Sequence, residues 1–261
     1  MEYVKLGNTG MEVSKLCLGC MGFGEPERGR EKWSIGEAES REVIKKALDS
    51  GINFFDTANL YSAGSSEEIV GKALKDFANR DEIVLASKLY FPMFDGPNAK
   101  GLSRKSIFAE IDHSLKRLQT DYLDLYIIHR WDYGTPIEET MEALHDLVKM
   151  GKVRYIGASS MHAWQFAKAQ FIAEKNGWTK FVSMQNLYNL LYREEEREMI
   201  PLLQDQKVAM TPWSPLAGGR LTRDIGAITA RASQAVQADL PAYIVASDNE
   251  VISRVHKLAD E

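Results

Sequence analysis

Short apolar runs alternate with longer amphipathic segments along most of the chain. The runs place apolar residues at successive positions, as expected for strands that are buried on both faces. They predict seven strands: Leu16–Gly19, Ile52–Asp56, Ile83–Lys88, Leu123–His129, Val153–Ser159, Phe181–Gln185 and Val208–Trp213. The amphipathic segments predict helices over Glu37–Ser50, Ser65–Ala78, Arg104–Leu118, Ile137–Met150, Ala163–Asn176 and Arg193–Asp205. An N-terminal hairpin is predicted from Tyr3–Leu6 and Met11–Leu16.

Regular strand and helix alternation favours a (β/α)8 barrel, with a doubly wound open sheet as the alternative. An open sheet that binds a dinucleotide would carry G-x-G-x-x-G after its first strand, and Gly19–Gly24 has a different glycine spacing. In a barrel, functional residues lie at the C-terminal ends of several strands, where the unusual polar residues of this sequence fall. We therefore expect a single barrel domain over residues 1–261.

Composition and charge narrow the possible partners. The chain has 44% hydrophobic and 26% charged residues and a formal net charge of −5, which disfavours a nucleic-acid partner. No apolar stretch approaches the roughly 20 residues of a membrane-spanning helix, and the N-terminus lacks a signal-peptide pattern. The histidines lack a metal-ligand spacing, so no metal site is predicted. A cytoplasmic protein that does not enter the membrane is expected.

Four titratable residues lie at or just after consecutive strand ends: Asp56, Tyr61, Lys88 and His129. Lys88 and Asp56 follow apolar runs, so their burial would be costly unless they pair with each other. A lysine beside Tyr61 favours the phenolate and is expected to lower the pKa of Tyr61 from about 10. Tyr61 then serves as a proton donor, and His129 either binds the oxygen of a carbonyl undergoing reduction or shares in the proton transfer.

Any one of these residues, taken alone, is more often a structural or solvated side chain than a catalyst. Their convergence on one rim of one barrel supports a joint function, because a structural explanation would need four separate coincidences. A barrel hydrolase with paired carboxylates is disfavoured. Only Asp56 among them is acidic, and Lys88 would keep it ionised.

The segments Gly51–Ala58 and Tyr126–His129, together with Tyr61 and Lys88, resemble the aldo-keto reductase family. Asp56, Tyr61, Lys88 and His129 match the Asp-Tyr-Lys-His tetrad of that family, and the resemblance covers residues 1 to about 224. It implies that NADPH binds across the barrel mouth and passes a hydride to a small aldehyde or ketone, with Tyr61 as proton donor.

The resemblance also implies a set of cofactor contacts. Ser159 and Gln185 match positions that bind the nicotinamide carboxamide, and Trp213 matches the aromatic residue stacked on that ring. Ser160 stands where the family commonly has Asn, and Arg231 resembles a basic residue on the adenosine side. The full expected cofactor-binding set is Gly19, Ser159, Ser160, Gln185, Trp213, Ser214, Pro215, Leu216, Gly218 and Arg231. Within it, the pyrophosphate loop is represented by Ser214, Leu216 and Gly218.

Aromatic residues near the tetrad predict the substrate pocket. Trp131, two residues after His129, and Phe23, after the first strand, are the expected substrate contacts. The alternative function is a nicotinamide-nucleotide-binding scaffold or sensor subunit with little turnover, as implied by the resemblance to potassium-channel-associated relatives. An oligomer is compatible with either function.

The C-terminal part departs from the family pattern. Asp248–Glu261 resembles the start of the seventh barrel helix of the family, so we expect the eighth strand and helix to be missing from this chain. In the alternative, Ala242–Ala246 forms an eighth strand and Asp248–Glu261 its helix. Pro241 and the irregular segment Ile225–Leu240 favour the first interpretation, a C-terminally incomplete barrel.

Overall fold

The computed structural model describes residues 1–227 and 246–261. An antiparallel hairpin of β1 (Tyr3–Lys5) and β2 (Glu12–Ser14) opens the chain. Seven parallel strands follow, and each pairs with the next in chain order: β3 (Cys17–Gly19), β4 (Phe54–Asp56), β5 (Val84–Leu89), β6 (Leu123–Ile128), β7 (Val153–Ser159), β8 (Phe181–Gln185) and β9 (Ala209–Met210). The predicted alternation is therefore confirmed.

Helices connect the strands across one face of the sheet. Their bounds are α1 (Glu37–Asp49), α2 (Ser65–Phe77), α3 (Arg104–Leu118), α4 (Ile137–Lys149), α5 (Ala163–Asn176), α6 (Met199–Gln206) and α7 (Ala246–Asp260). Helix ends follow local chemistry: the Ser103 hydroxyl accepts from the Ser106 amide at the start of α3, and Gly177 ends α5 with φ 69°. None of the described helices combines the length and apolar character needed to cross a membrane.

The sheet is strongly curled. Gln185 at the end of β8 donates a hydrogen bond of 3.2 Å to Asp56 at the end of β4, although four strand-to-strand steps separate the two strands. In a flat sheet those strands would lie about 19 Å apart, so the contact requires the sheet to close round on itself. The fold is that of a partial (β/α)8 barrel, in agreement with the sequence.

Two apolar layers pack against this sheet. The larger one fills the space between strands and helices, and includes Tyr126 and Ile128 of β6. The smaller one lies inside the barrel and joins Leu125 and Ile127 to Leu6 and Val13 of the hairpin. Alternate residues of one strand thus serve the two layers, and the hairpin packs against the inner one.

The seventh predicted strand and the sixth predicted helix are much shorter than expected. The strand predicted over Val208–Trp213 pairs only at Ala209–Met210, and Trp213 instead forms an isolated bridge with Leu187. The helix predicted over Arg193–Asp205 is divided into a 3-10 turn and α6. Pro201 explains the division, because its ring would clash with a preceding turn if the helix ran through from residue 193.

The alternative eighth strand cannot be placed from this structure. Residues 242–245 lie outside the described part of the chain, and Ala246 already belongs to α7. Where the structure does describe the C-terminal segment, the side chain of Asp248 in α7 accepts a 2.8 Å hydrogen bond from Arg220. This contact ties α7 to the segment that follows β9.

Candidate active site

Strand periodicity directs Asp56 and Lys88 into the barrel. Phe54 of β4 and both Val84 and Ala86 of β5 belong to the inner apolar layer, and side chains two residues apart on a strand share a face. Asp56 and Lys88 are therefore in phase with inward-facing residues. His129, directly after β6, continues the inward series of Leu125 and Ile127. The structure brings these side chains together at the C-terminal end of the sheet.

Lys88 is the centre of this cluster and is completely buried. Its ammonium nitrogen lies 2.5 Å from Asp56 Oδ2, 2.8 Å from the Thr57 carbonyl oxygen and 3.0 Å from the Tyr61 hydroxyl. Burial acts to lower the pKa of Lys88, but Asp56 and Tyr61 outweigh that effect and the net pKa is raised. Lys88 therefore carries a positive charge, and all three of its donors are used.

The Tyr61 side chain differs from the sequence prediction in its electrostatics. Burial raises the pKa of Tyr61, and the opposing effect of Lys88 does not bring it below the ordinary value. The expected lowering was wrong because it weighed the lysine and not the loss of water around the phenol. In this arrangement Tyr61 keeps its proton, which leaves it able to donate one.

His129 is buried beside two aromatic rings. It meets the Tyr61 ring edge-on at 5.8 Å between centroids and the Phe91 ring at 5.1 Å. Burial, followed by the charges of Lys88 and Arg130, lowers the pKa of His129 well below 6.5, so its imidazole is neutral. Its Nδ1 atom is buried without a hydrogen-bond partner among the described residues.

A second cluster lies on β7, β8 and the segment after β9. The Ser159 hydroxyl donates to the Gln185 carbonyl oxygen at 2.8 Å, and the Trp213 indole donates to the Ser160 hydroxyl at 3.2 Å. The Ser160 backbone amide donates to Asn186 Oδ1 at 3.0 Å. Because Gln185 also reaches Asp56, this cluster is continuous with the one around Lys88.

Ser160 adopts a left-handed backbone conformation with φ 50°. Asn tolerates that conformation better than most residues, which gives a physical reason for the Asn that the family commonly has here. The Ser160 hydroxyl compensates locally by accepting the hydrogen bond from Trp213. This hydrogen bond anchors the indole.

The segment after Trp213 forms tight turns, in which the Ala217 amide donates to the Ser214 carbonyl oxygen and the Gly219 amide to that of Leu216. Ser214, Ala217 and Gly218 all have positive φ values, of 51°, 50° and 68°. Asn189 holds the turn by donating to the Ser214 carbonyl oxygen at 3.0 Å. Successive turns of this kind orient amide groups in a way that suits anion binding. Pro215 and Leu216 are exposed on it.

The remaining predicted site residues have different outcomes. Gly19 ends β3 opposite Asp56 in the strand register, and a Cβ atom added there would have only its chain neighbours within 4 Å. Trp131 is half-buried, with its ring 6.1 Å from that of Trp164. Phe23 is buried in the helix-side core, and its contact with a substrate stays a prediction. Arg231 lies outside the described residues.

The structure also shows polar residues behind Lys88 that sequence reasoning missed. Glu67 of α2, fully buried, accepts from Ser87 at 2.5 Å and from Arg117 at 2.6 Å. Asn59 donates to Glu110 at 2.8 Å, while its own backbone amide donates to the Lys88 carbonyl oxygen. Glu67 lies in a Ser-Ser-Glu-Glu run that is typical of a helix start. That pattern explains the residue without its buried contacts to Ser87 and Arg117, so no signal for them is visible in the sequence. Phe91 was missed as well.

A sequence model described as the Aldo/keto reductase family matches residues 15–259. The chain belongs to the aldo/keto reductase family. Three fungal relatives are similar to this aldo-keto reductase. Versiconal hemiacetal acetate reductase of Aspergillus parasiticus is 46% identical in an alignment that covers 100% of this chain and 81% of that protein.

Two reductases of Alternaria alternata are similar to about the same degree. Aldo-keto reductase AMT2 is 46% identical over 98% of this chain and 76% of its own length. Aldo-keto reductase AFTS1 is 44% identical, also over 98% of this chain and 76% of its own length. Family membership makes this chain an oxidoreductase. Within the described residues, no group of three or more His, Cys, Asp and Glu side chains is placed to hold a metal ion.

Proposed function

We propose that this aldo-keto reductase reduces small aldehydes or ketones to alcohols with NADPH as hydride donor. The observation that carries the proposal is the contact of the charged Lys88 with both Asp56 and the Tyr61 hydroxyl, at 2.5 and 3.0 Å. This arrangement places a proton donor beside a fixed positive charge. It suits a reaction in which negative charge develops on an oxygen atom.

The proton step follows from these contacts. When the carbonyl carbon accepts a hydride, its oxygen becomes an alkoxide and takes the proton of the Tyr61 hydroxyl. The resulting phenolate is stabilised by the Lys88 ammonium 3.0 Å away, and solvent later returns a proton to it. Neutral His129 orients the carbonyl oxygen as a hydrogen-bond donor, which its lowered pKa permits without adding another charge.

The second cluster fits a nicotinamide. Ser159, Gln185 and the Trp213 indole combine hydroxyl and amide groups with a flat apolar face, which is the chemistry that a neutral carboxamide-bearing ring requires. When bound, the nicotinamide supplies the hydride. Ser160 keeps the indole in place, and the turn that contains Ser214, Pro215, Leu216 and Gly218 holds the pyrophosphate, with Gly19 allowing close approach. Arg231 is proposed for the adenosine side on resemblance alone.

Turnover of an aryl aldehyde tests the proposal. Consumption of NADPH with 4-nitrobenzaldehyde is measured for the wild-type chain, Tyr61→Phe and the control Tyr133→Phe. Tyr133 is exposed, and its hydroxyl accepts a hydrogen bond from Gln165. We expect Tyr61→Phe to lower kcat at least about 100-fold, the usual contribution of a general acid, and the control to match the wild type. Parallel runs with NADH measure the cofactor preference.

A measurement of NADPH binding, monitored through the quenching of tryptophan fluorescence, separates a reductase from a nucleotide-binding scaffold or sensor. Reductase chemistry predicts that Tyr61→Phe binds NADPH as the wild type does and yet fails to turn over. A wild-type chain that binds NADPH and reduces none of several aldehydes and ketones would instead indicate a nucleotide-binding scaffold or sensor. Full activity in Tyr61→Phe would remove Tyr61 as the proton donor.

A further inference from the structure

The turn that carries Tyr61 has an unusual backbone. Ser62 and Ala63, which follow Tyr61 directly, both adopt left-handed conformations, with φ/ψ of 45°/44° and 50°/45°. Gly64 continues the series with φ 89°. Residues with side chains rarely occupy this region, and two in succession need support from their surroundings. The position of the Tyr61 ring therefore depends on what holds this turn.

The loop between β3 and α1 supplies that support. The buried Glu31 carboxylate accepts a 3.1 Å hydrogen bond from the Ser62 amide. Arg28 donates to the Ala63 carbonyl oxygen at 3.2 Å and is itself fixed by Glu68, through two bonds of 2.7 and 3.0 Å. Each of the two left-handed residues is thus held by one charged side chain of the same loop.

The loop also packs too closely on Ser62 to leave room for a different turn. A Cβ atom added at Gly24 would lie 2.3 Å from the Ser62 Cβ, and one added at Gly29 would lie 2.4 Å from the Ser62 Cα. Ser62 itself has no exposed surface. The loop and the turn consequently have matching shapes, and the Glu31 carboxylate makes one of the polar contacts between them.

We propose that Glu31 is a positioning residue for Tyr61: by binding the Ser62 amide it holds the left-handed turn that keeps the Tyr61 hydroxyl beside Lys88. The effect on rate rests on the proposed function, whereas the effect on the turn does not. Glu31 acts through the backbone and makes no contact with Lys88 or Asp56 among its described hydrogen bonds.

Variants at Glu31 separate the effect of its hydrogen-bond acceptor from the effect of its charge. Glu31→Ala removes the acceptor, and we expect kcat for 4-nitrobenzaldehyde to fall about 10- to 100-fold, the scale of a small misplacement of a catalytic group. Glu31→Gln keeps an oxygen acceptor and should stay within about threefold of the wild type. Glu27→Ala is the matched control, since the Glu27 side chain is 94% exposed in the same loop. KM for NADPH should change little in all three.

A glycine in the turn provides a rescue that a general structural role would not. Ala63 is exposed and left-handed, and glycine adopts that conformation without strain. Ala63→Gly in the Glu31→Ala background should therefore recover part of the lost kcat. Ala63→Gly alone serves as its reference. If Glu31→Ala does not fold, Glu31→Asp, which keeps the charge and shortens the reach, carries the same comparison.

Hydrogen exchange at the Ser62 amide gives a readout that needs no turnover. We expect faster exchange in Glu31→Ala than in Glu31→Gln, Glu27→Ala or the wild type. If Glu31→Ala exchanges faster and yet the wild type reduces no carbonyl, the role of Glu31 in the turn is retained and the proposed function is rejected. An active Glu31→Ala with unchanged kcat, or a loss of kcat that tracks Tm and is not restored by glycine, would overturn the role of Glu31.

Discussion

Lys88 and Asp56 form an ion pair inside the barrel, with 2.5 Å between Nζ and Oδ2 and no exposed surface on the lysine. Pairs of this kind contribute little net stability, because desolvation of both charges offsets their attraction. The same ammonium contacts the Tyr61 hydroxyl. The pair is therefore better explained by the chemistry it serves than by the stability it adds.

Loss of the lysine should affect stability and turnover separately. Lys88→Met leaves the Asp56 carboxylate buried without its cation, and we expect the free energy of unfolding to fall by about 3–5 kcal/mol. Asp56→Asn/Lys88→Met removes both charges, and should recover much of that loss while remaining inactive. Urea unfolding and NADPH consumption measure the two effects. If Lys88→Met and the double variant were equally stable, the cost of an unpaired buried carboxylate at Asp56 would be contradicted.

The lowered pKa of His129 predicts a stability that depends on pH. Below about pH 6.5 the unfolded chain takes up a proton at this histidine and the native chain does not, so the unfolded state binds more protons. The free energy of unfolding should then decrease as the pH falls from 6.5 toward the native pKa, by up to about 1.4 kcal/mol per pH unit. His129→Gln should weaken this dependence in urea titrations at several pH values.

Glu67 and Arg117 predict a large structural penalty away from the reacting atoms. Arg117→Met leaves the fully buried Glu67 with Ser87 as its remaining described partner, and we expect a loss of about 3–5 kcal/mol in the free energy of unfolding. Glu67→Gln/Arg117→Met should be more stable than Arg117→Met. Chemical denaturation measures the free energy of unfolding of each variant. If the effects of the two substitutions simply add in the double variant, Glu67 and Arg117 are not directly coupled.

Trp131 predicts a preference among carbonyl substrates. Removal of its ring in Trp131→Ala should raise KM for 4-nitrobenzaldehyde about three- to tenfold, the worth of one aromatic contact, and change KM for a short aliphatic aldehyde less. Phe171→Ala removes another ring, 64% exposed on α5, and serves as the control. Equal changes for both aldehydes would indicate that Trp131 does not select for an aromatic group.

Much of the arrangement was predictable because strands alternate their faces. Asp56 and Lys88 lie at or next to the ends of apolar strands, in phase with inward-facing residues, so their proximity follows once a barrel is assumed. The pKa of Tyr61 was not predictable, since its direction depends on how completely the folded chain excludes water from the phenol. Phe23 illustrates the same limit: its type fits a pocket or a core equally well, and only packing decides.

The two oxygens of Asp56 are bound on opposite sides, Oδ1 by Gln185 and Oδ2 by Lys88. Asp56 and Gln185, which lie 129 residues apart in the chain, are therefore joined through this carboxylate. Substitutions at Gln185 and at Asp56 should not act independently during divergence, because a change in one alters which residues the other tolerates. Descendants of this sequence are expected to change Asp56 and Gln185 together. Each such change would alter the surroundings of Tyr61, because Lys88 contacts both Asp56 and Tyr61.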